Sequence, residues 1–211
     1  MAKTRIVTIS HATGAGGDSI GRNVAKGLGF RYVDEEIIQL AAERHGVDPE
    51  VVADAERRKS LLQRIIDDMA TAPMVTESTG GMIMLPPVAF VTREDLRSLI
   101  VEAIKQTAER GQVVIVSHAA SIPLAGRPDL LRVLVTASFE PRTQRVAEAT
   151  RSTKADAEKS VKSSDAGRAD YFLRFYRIEQ ELPTHYDLVI NTDTLTPEEG
   201  SDIVIAAARR H

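Results

Sequence analysis

The sequence contains no cysteine. That excludes disulfide frameworks, thiolate metal sites and thiol catalysis, and it fits a reducing compartment. No stretch approaches the ~18 consecutive apolar residues of a membrane-spanning helix. The start, Met1-Ala2-Lys3-Thr4-Arg5, leads straight into a short apolar strand rather than the apolar core of a signal peptide, so a cytoplasmic protein is expected. Charge of neither sign dominates: 27 Lys+Arg against 30 Asp+Glu leave a formal net charge of −3. Such a chain has no global basic field for a nucleic acid or an anionic membrane, so neither is an expected partner and any anion site must be local. Internal repeats and low-complexity tracts are also lacking.

What is present is an ordinary globular composition: 211 residues, 43% of them hydrophobic. This length suits one core, read as a single domain over 1–211. Residues 5–9 are short and β-branched and run into Gly14, Gly16 and Gly17, which predicts a buried strand ending in a glycine loop. Ile20, Val24 and Leu28 then recur at helical spacing before Gly29, predicting a helix over 18–28. Residues 30–33 read as a second strand, with Asp34 placed to cap the helix after it. The stretch 48–91 reads as a helical and irregular insert; its part beyond residue 72 carries Met74, Met82 and Met84 and suits either a flap over a ligand or a homodimer contact. A capped helix from Thr92, strands at 113–116 and 130–136, a helix after Pro141, a charged helical stretch over 153–181, a strand over 185–191 and a helix capped by Thr196 and Pro197 complete the chain. Five buried strands alternating with helices predict an α/β fold, a parallel sheet covered on both faces.

In such sheets ligands bind beyond the carboxyl ends of the strands, where a helix N-terminus offers unpaired N–H groups to an anion. Thr13-Gly14-Ala15-Gly16-Gly17-Asp18-Ser19 stands at that point. Glycines let backbone curl around a phosphate, and a serine in the first helical turn suits magnesium. A tight turn without a ligand is the alternative. The pattern G-x-x-x-x-G-K-[ST] is not met, because His11 stands at its first Gly and Gly17 at its Lys. A dinucleotide fingerprint fits poorly too, since Ser19 takes its third Gly position, although Asp34 follows Gly14 by the right interval. The sequence has no Tyr-x-x-x-Lys pair, which argues against short-chain dehydrogenase chemistry.

Ile6-Val7-Thr8-Ile9-Ser10, then Gly14-Ala15-Gly16-Gly17, Ile20-Gly21 and Tyr32-Val33-Asp34-Glu35-Glu36-Ile37-Ile38 resemble the opening of the cytidylate-kinase-like family of the P-loop nucleoside monophosphate kinase superfamily. The Gly in place of the loop Lys is a trait of that family. Arg142 and Arg145 are similar to its arginine pair after the fourth strand. Asp165 and Arg168 match part of its acceptor-binding cluster, and Tyr186-Asp187-Leu188-Val189-Ile190-Asn191-Thr192 looks like its last strand. The resemblance spans nearly the whole chain. It implies a three-layer P-loop kinase-type fold with a five-stranded parallel sheet, a helical acceptor-binding segment and a helical lid over 139–181. Two departures stand out: Ser117-His118-Ala119 replaces the Gly-Arg-Gly of related members, and His11 replaces an arginine ahead of the loop.

The function implied is ATP- and magnesium-dependent phosphoryl transfer to a nucleoside monophosphate, cytidylate-like, or a related small acceptor. Gly14, Ala15, Gly16, Gly17 and Asp18 would cradle phosphates, Ser19 would bind Mg, and Arg142 and Arg145 would stabilise the transferring group. These two arginines are i, i+3 and share a helical face; a solvated face with Glu148 as partner is the alternative. Asp34, Lys162, Asp165 and Arg168 are the candidate acceptor residues, the last three forming one helical stripe whose alternative is a salt-bridged exposed helix. His11 and His118 emerge side by side if the strands of 6–9 and 113–116 are neighbours, either to replace the missing cations at a phosphate or to cap turns. Tyr171, Phe172, Phe175 and Tyr176 read as core or an interface. A catalytically silent nucleotide-binding or regulatory protein on the same fold is the rival function.

Overall fold

The computed structural model describes residues 3–34, 37, 39, 40, 42, 93–116 and 119–211. The expected insert at 48–91, with its three methionines, lies outside them, as does His118.

Strand β1, Ile6–His11, is apolar on both sides and buried almost throughout. It therefore occupies the middle of the sheet, where β-branched side chains pack against helices on either face. Strands β2 (Arg31–Val33), β3 (Val113–Val116), β4 (Leu130–Thr136) and β5 (Leu188–Asn191) join it in the order β2-β3-β1-β4-β5, every pairing parallel. Ile6 aligns with Val113 on one side and Leu130 on the other. The neighbours of β1 are thus both distant in sequence, and its carboxyl end opens at the switch point where such sheets bind ligands.

Alternation along β1 sends Ile6 to one face and Val7 and Ile9 to the other. On the first face, Ile100 and Ile104 of helix α2 (Arg93–Glu109) pack against Ile6, Val113 and Ile115. On the second, Ile20 and Val24 of α1 (Gly17–Leu28) and Val204 of α5 (Pro197–Arg210) cover Val7, Ile9, Val114 and Val133. Helices α3 (Phe139–Thr150) and α4 (Lys154–Tyr176) complete the described helices.

Helix α1 comes unusually close to the sheet. A Cβ at Gly21 would lie 2.6 Å from a Val116 methyl, and one at Gly27 would lie 2.4 Å from Ile205 of α5. The helix ends at Gly29, whose left-handed backbone turns its N–H back to the carbonyls of Ala25 and Lys26. Helix α5 begins with a capping box in which the Thr196 hydroxyl accepts from the Glu199 N–H and the Glu199 carboxylate accepts from the Thr196 N–H.

Three boundaries differ from expectation. Helix α3 starts at Phe139, two residues early, because the first turn needs no N–H from Pro141 and Asp193 caps it from a distance, accepting from the Ser138 backbone at 2.7 Å and hydroxyl at 2.6 Å. The charged stretch stops at Tyr176 instead of 181, where Arg177 takes a left-handed conformation. The last strand begins at Leu188 because Pro183–His185 form a 3-10 turn. Tyr171, Phe172 and Phe175 are core, Tyr171 stacking on Phe175 with centroids 4.6 Å apart.

Candidate phosphate-binding site

The loop after β1 is shaped by two left-handed glycines, Gly14 and Gly16, both with φ +80. Gly14 is required by contact as well: a Cβ there would lie 2.6 Å from the Arg142 carbonyl oxygen. The loop therefore lies directly against the backbone of α3. A Cβ at Gly16 would meet nothing within 4 Å, so the loop faces open space on that side. Ser19 is exposed in the first turn of α1.

The expected arginine pair is brought to this loop. Arg142 is buried, 7% exposed, and its Nη1 donates to the Thr13 carbonyl at 3.2 Å. Both of its terminal nitrogens also donate to Asp165 of α4, at 2.8 and 2.7 Å. Arg145 donates to the Gly14 carbonyl at 3.3 Å and to the Thr192 hydroxyl at 3.1 Å, and the same hydroxyl donates to the Ala15 carbonyl at 2.9 Å. The solvated-face alternative is not what forms, since Glu148 accepts from Gln144 on its own helix. Two guanidinium groups thus hold the successive loop carbonyls of Thr13 and Gly14.

His11 lies across the loop mouth. Its Nε2 is 3.2 Å from Asp18 Oδ1 and its Nδ1 is 3.3 Å from the Ala12 carbonyl. The hydrogen bond from His11 holds the Asp18 carboxyl below its ordinary range against the opposing effect of burial, with the charges of His11 and Arg22 assisting. The imidazole also fills the space a side chain at 17 would need, for a Cβ there would sit 2.3 Å from the ring. Position 17, the lysine of the strict pattern, is glycine because His11 takes its volume.

The stripe Lys162-Asp165-Arg168 divides among three partners. Lys162 lies over the Phe139 ring at 5.4 Å, Asp165 holds Arg142, and Arg168 turns to a cluster sequence reading missed. Arg168 donates to Glu181 through Nε and Nη2, both at 2.7 Å, and to the Ser10 hydroxyl at 2.6 Å. Tyr186 donates to the same carboxylate. Burial opposes ionisation of Glu181, but Arg168 and the Tyr186 and Ser10 hydroxyls outweigh it and hold the carboxyl below its usual range. Burial and the facing Glu181 push the Tyr186 phenol up to about 12. Glu181 carried no sequence signal, since it follows α4 in a loop. Nearer the loop, Thr13 and Ser164 share a hydroxyl contact of 2.5 Å. Asp34 accepts from the Tyr32 hydroxyl at 3.5 Å, at the end of β2. Strands β1 and β3 are neighbours as the histidine expectation requires.

This architecture is that of the P-loop kinases. The chain superposes on the shikimate kinase from Acinetobacter baumannii in complex with shikimate with a TM-score of 0.52, 12% identity, and coverage of 97% of this chain and 92% of that one. An uncharacterized protein from Eubacterium ventriosum matches with a TM-score of 0.68 and 18% identity over 99% of this chain and 100% of the other. The profile of the cytidylate kinase-like family matches residues 6–194, and the chain belongs to that family. A cytidylate kinase from Sulfolobus acidocaldarius is 26% identical over 114 residues, 54% of this chain and 62% of that protein, so the chain spans less than two thirds of the curated relative it matches. Among the described residues, no helix is long and apolar enough to cross a membrane.

Proposed function

We propose that the protein transfers a phosphoryl group from ATP, with magnesium, to a nucleoside monophosphate of the cytidylate type or a related small acceptor. The observation that carries this reading is the attachment of Arg142 and Arg145 to the carbonyls of Thr13 and Gly14 in a chain of a kinase-like family. Phosphoryl transfer asks chiefly for positioning and for positive charge around the transferring group. ATP would supply that group, and magnesium would neutralise the phosphate charge that develops on it.

The residues fit such a ligand. The left-handed glycines shape a loop open at Gly16, and α1 begins there, so the N–H groups at the start of that helix would meet an anion, while the Ala15 N–H donates to the Ala12 carbonyl at 3.0 Å within the loop. The exposed Ser19 hydroxyl suffices for magnesium, which keeps waters and phosphate oxygens as most of its ligands. Arg142 and Arg145 would bring positive charge to the loop from its carbonyl side, and His11 lies across the loop mouth. On the acceptor side, Asp165 keeps an exposed edge and Arg168 is oriented by Glu181, and Asp34 and Lys162 are the further acceptor residues of this reading.

The His11–Asp18 pair favours a second reading, a nucleotide-binding regulatory protein without turnover, because it brings a carboxylate to the place of a lysine. Incubation with ATP, magnesium and a panel of nucleoside monophosphates, with chromatographic detection of ADP, separates the two. Acceptor-dependent ADP formation, lost in an Arg142→Ala, Arg145→Ala variant, supports the kinase. ATP binding without turnover, seen as a stabilisation of about 2.7 kcal/mol at 100 times Kd, supports the second reading. Absence of nucleotide binding overturns both.

A further inference from the structure

A cavity of about 540 Å³ lies at the other end of the sheet, where the strands begin. Its walls include Lys3 and Arg5 before β1, Leu28 and Phe30 between α1 and β2, Gln112 before β3, and Arg209 near the end of α5. The length of β1 separates it from the glycine loop by roughly 20 Å. The volume is that of a small-molecule pocket, and three cations line it without a carboxylate among the lining residues.

The cations are available. Among the described residues neither Lys3 nor Arg5 has a carboxylate within ion-pair distance. Asp129, which feels the charge of Arg5, is engaged by Arg127 at 3.0 and 3.1 Å. Helices α1 and α5 both end here, and several of their terminal carbonyls are capped: Ala25 and Lys26 by Gly29, Gly27 by Arg209 at 3.1 Å, and Ala207 by His211. The backbone also yields to the arginine. Gly111 has φ +64, and a Cβ there would lie 2.5 Å from Arg5 Nη2, so glycine lets the guanidinium rest against the chain. Its neighbour Gln112 has φ 48 and lies in the left-handed turn that follows α2.

We propose that this cavity is a second ligand site, taking a small phosphorylated compound with a flat apolar moiety: the phosphate against Lys3 and Arg5, the apolar part against Leu28 and Phe30. Arginine pairs with phosphate through two parallel hydrogen bonds, which suits the exposed Arg5 fork. The site is independent of the kinase reading, since it shares no residue with the glycine loop.

The test is a titration of the isotope-labelled full chain with phenyl phosphate and with inorganic phosphate, followed by amide NMR shifts. Saturable shifts at Leu28, Phe30 and Gln112 are expected, with phenyl phosphate binding about tenfold more tightly than phosphate. Lys3→Ala with Arg5→Ala should weaken these shifts about tenfold while leaving any shifts at Gly14–Gly17 unchanged. Lys3→Glu, at an exposed position, gives the same readout if the double variant folds poorly. Millimolar probe without saturable shifts at these amides, or shifts indifferent to both variants, would overturn the proposal; equal affinity for the two probes would overturn its apolar half.

Discussion

Arg142 and Asp165 join α3 to α4 through two parallel hydrogen bonds of 2.8 and 2.7 Å, while the same guanidinium reaches the Thr13 carbonyl. One buried cation thus ties three segments together at the glycine loop. Arg142→Ala should cost about 2–3 kcal/mol, less than a fully buried pair would, because Asp165 is 40% exposed and takes up water when left alone. A double-mutant cycle with Asp165→Asn, read by urea unfolding, should give a coupling of about 1–2 kcal/mol; additive losses would show that the two groups act separately.

Gly17 and His11 exclude each other. Gly17→Ala places a Cβ 2.3 Å from the imidazole and should destabilise the chain by about 1–3 kcal/mol. In a His11→Ala background the same substitution should be nearly neutral, as measured by thermal unfolding. At Gly14 no such relief is available: its neighbour is the Arg142 backbone and its φ is +80, so Gly14→Ala should remain destabilising in every side-chain background.

Glu181 makes stability depend on acid. Its folded pKa lies below the ordinary value of 4.5, so its contribution is complete above the unfolded pKa of about 4.3 and disappears as pH falls through the folded value. Wild type should therefore lose its advantage over Glu181→Gln as urea midpoints are followed from pH 6 downward. An unchanged difference at low pH would mean that the carboxylate charge is not what Arg168 holds.

The alkaline limb has the opposite origin. Tyr32 and Tyr186 are both raised to about 12, burial being the main cause in each. Between pH 10 and 12 the unfolded chain releases phenolic protons that the folded one keeps, so stability should fall across that window. Absorbance at 295 nm should show late-ionising tyrosines, fewer by one in Tyr186→Phe.

Local rules made the frame legible. The β-branched run of β1, the left-handed Gly29 and the Thr196 capping box each state their structure within a few residues. Arg142 and Arg145 were legible as a pair through their resemblance to the family's arginines, and their i, i+3 spacing placed them on one helical face. Their partners were not: Asp165, Thr192 and the Thr13 carbonyl come from three distant segments. Periodicity likewise grouped Asp165 with Arg168 on one stripe, but tertiary packing sends one to α3 and the other to Glu181 and Ser10. Glu181 was invisible because a lone carboxylate in a turn has no period to betray it.

The brace between Thr192 and Ala15 spans 177 residues of chain. During synthesis at about 5–20 residues per second, roughly ten to thirty-five seconds separate the appearance of the loop from that of its support. Over that interval β1 and α1 exist without the Arg145–Thr192 link, and the Ala15 carbonyl lacks the hydroxyl that holds it in the folded chain. A newly made chain therefore completes the bracing of its glycine loop late, and a ribosome stalled before residue 192 holds a loop that is present in sequence without its Thr192 brace.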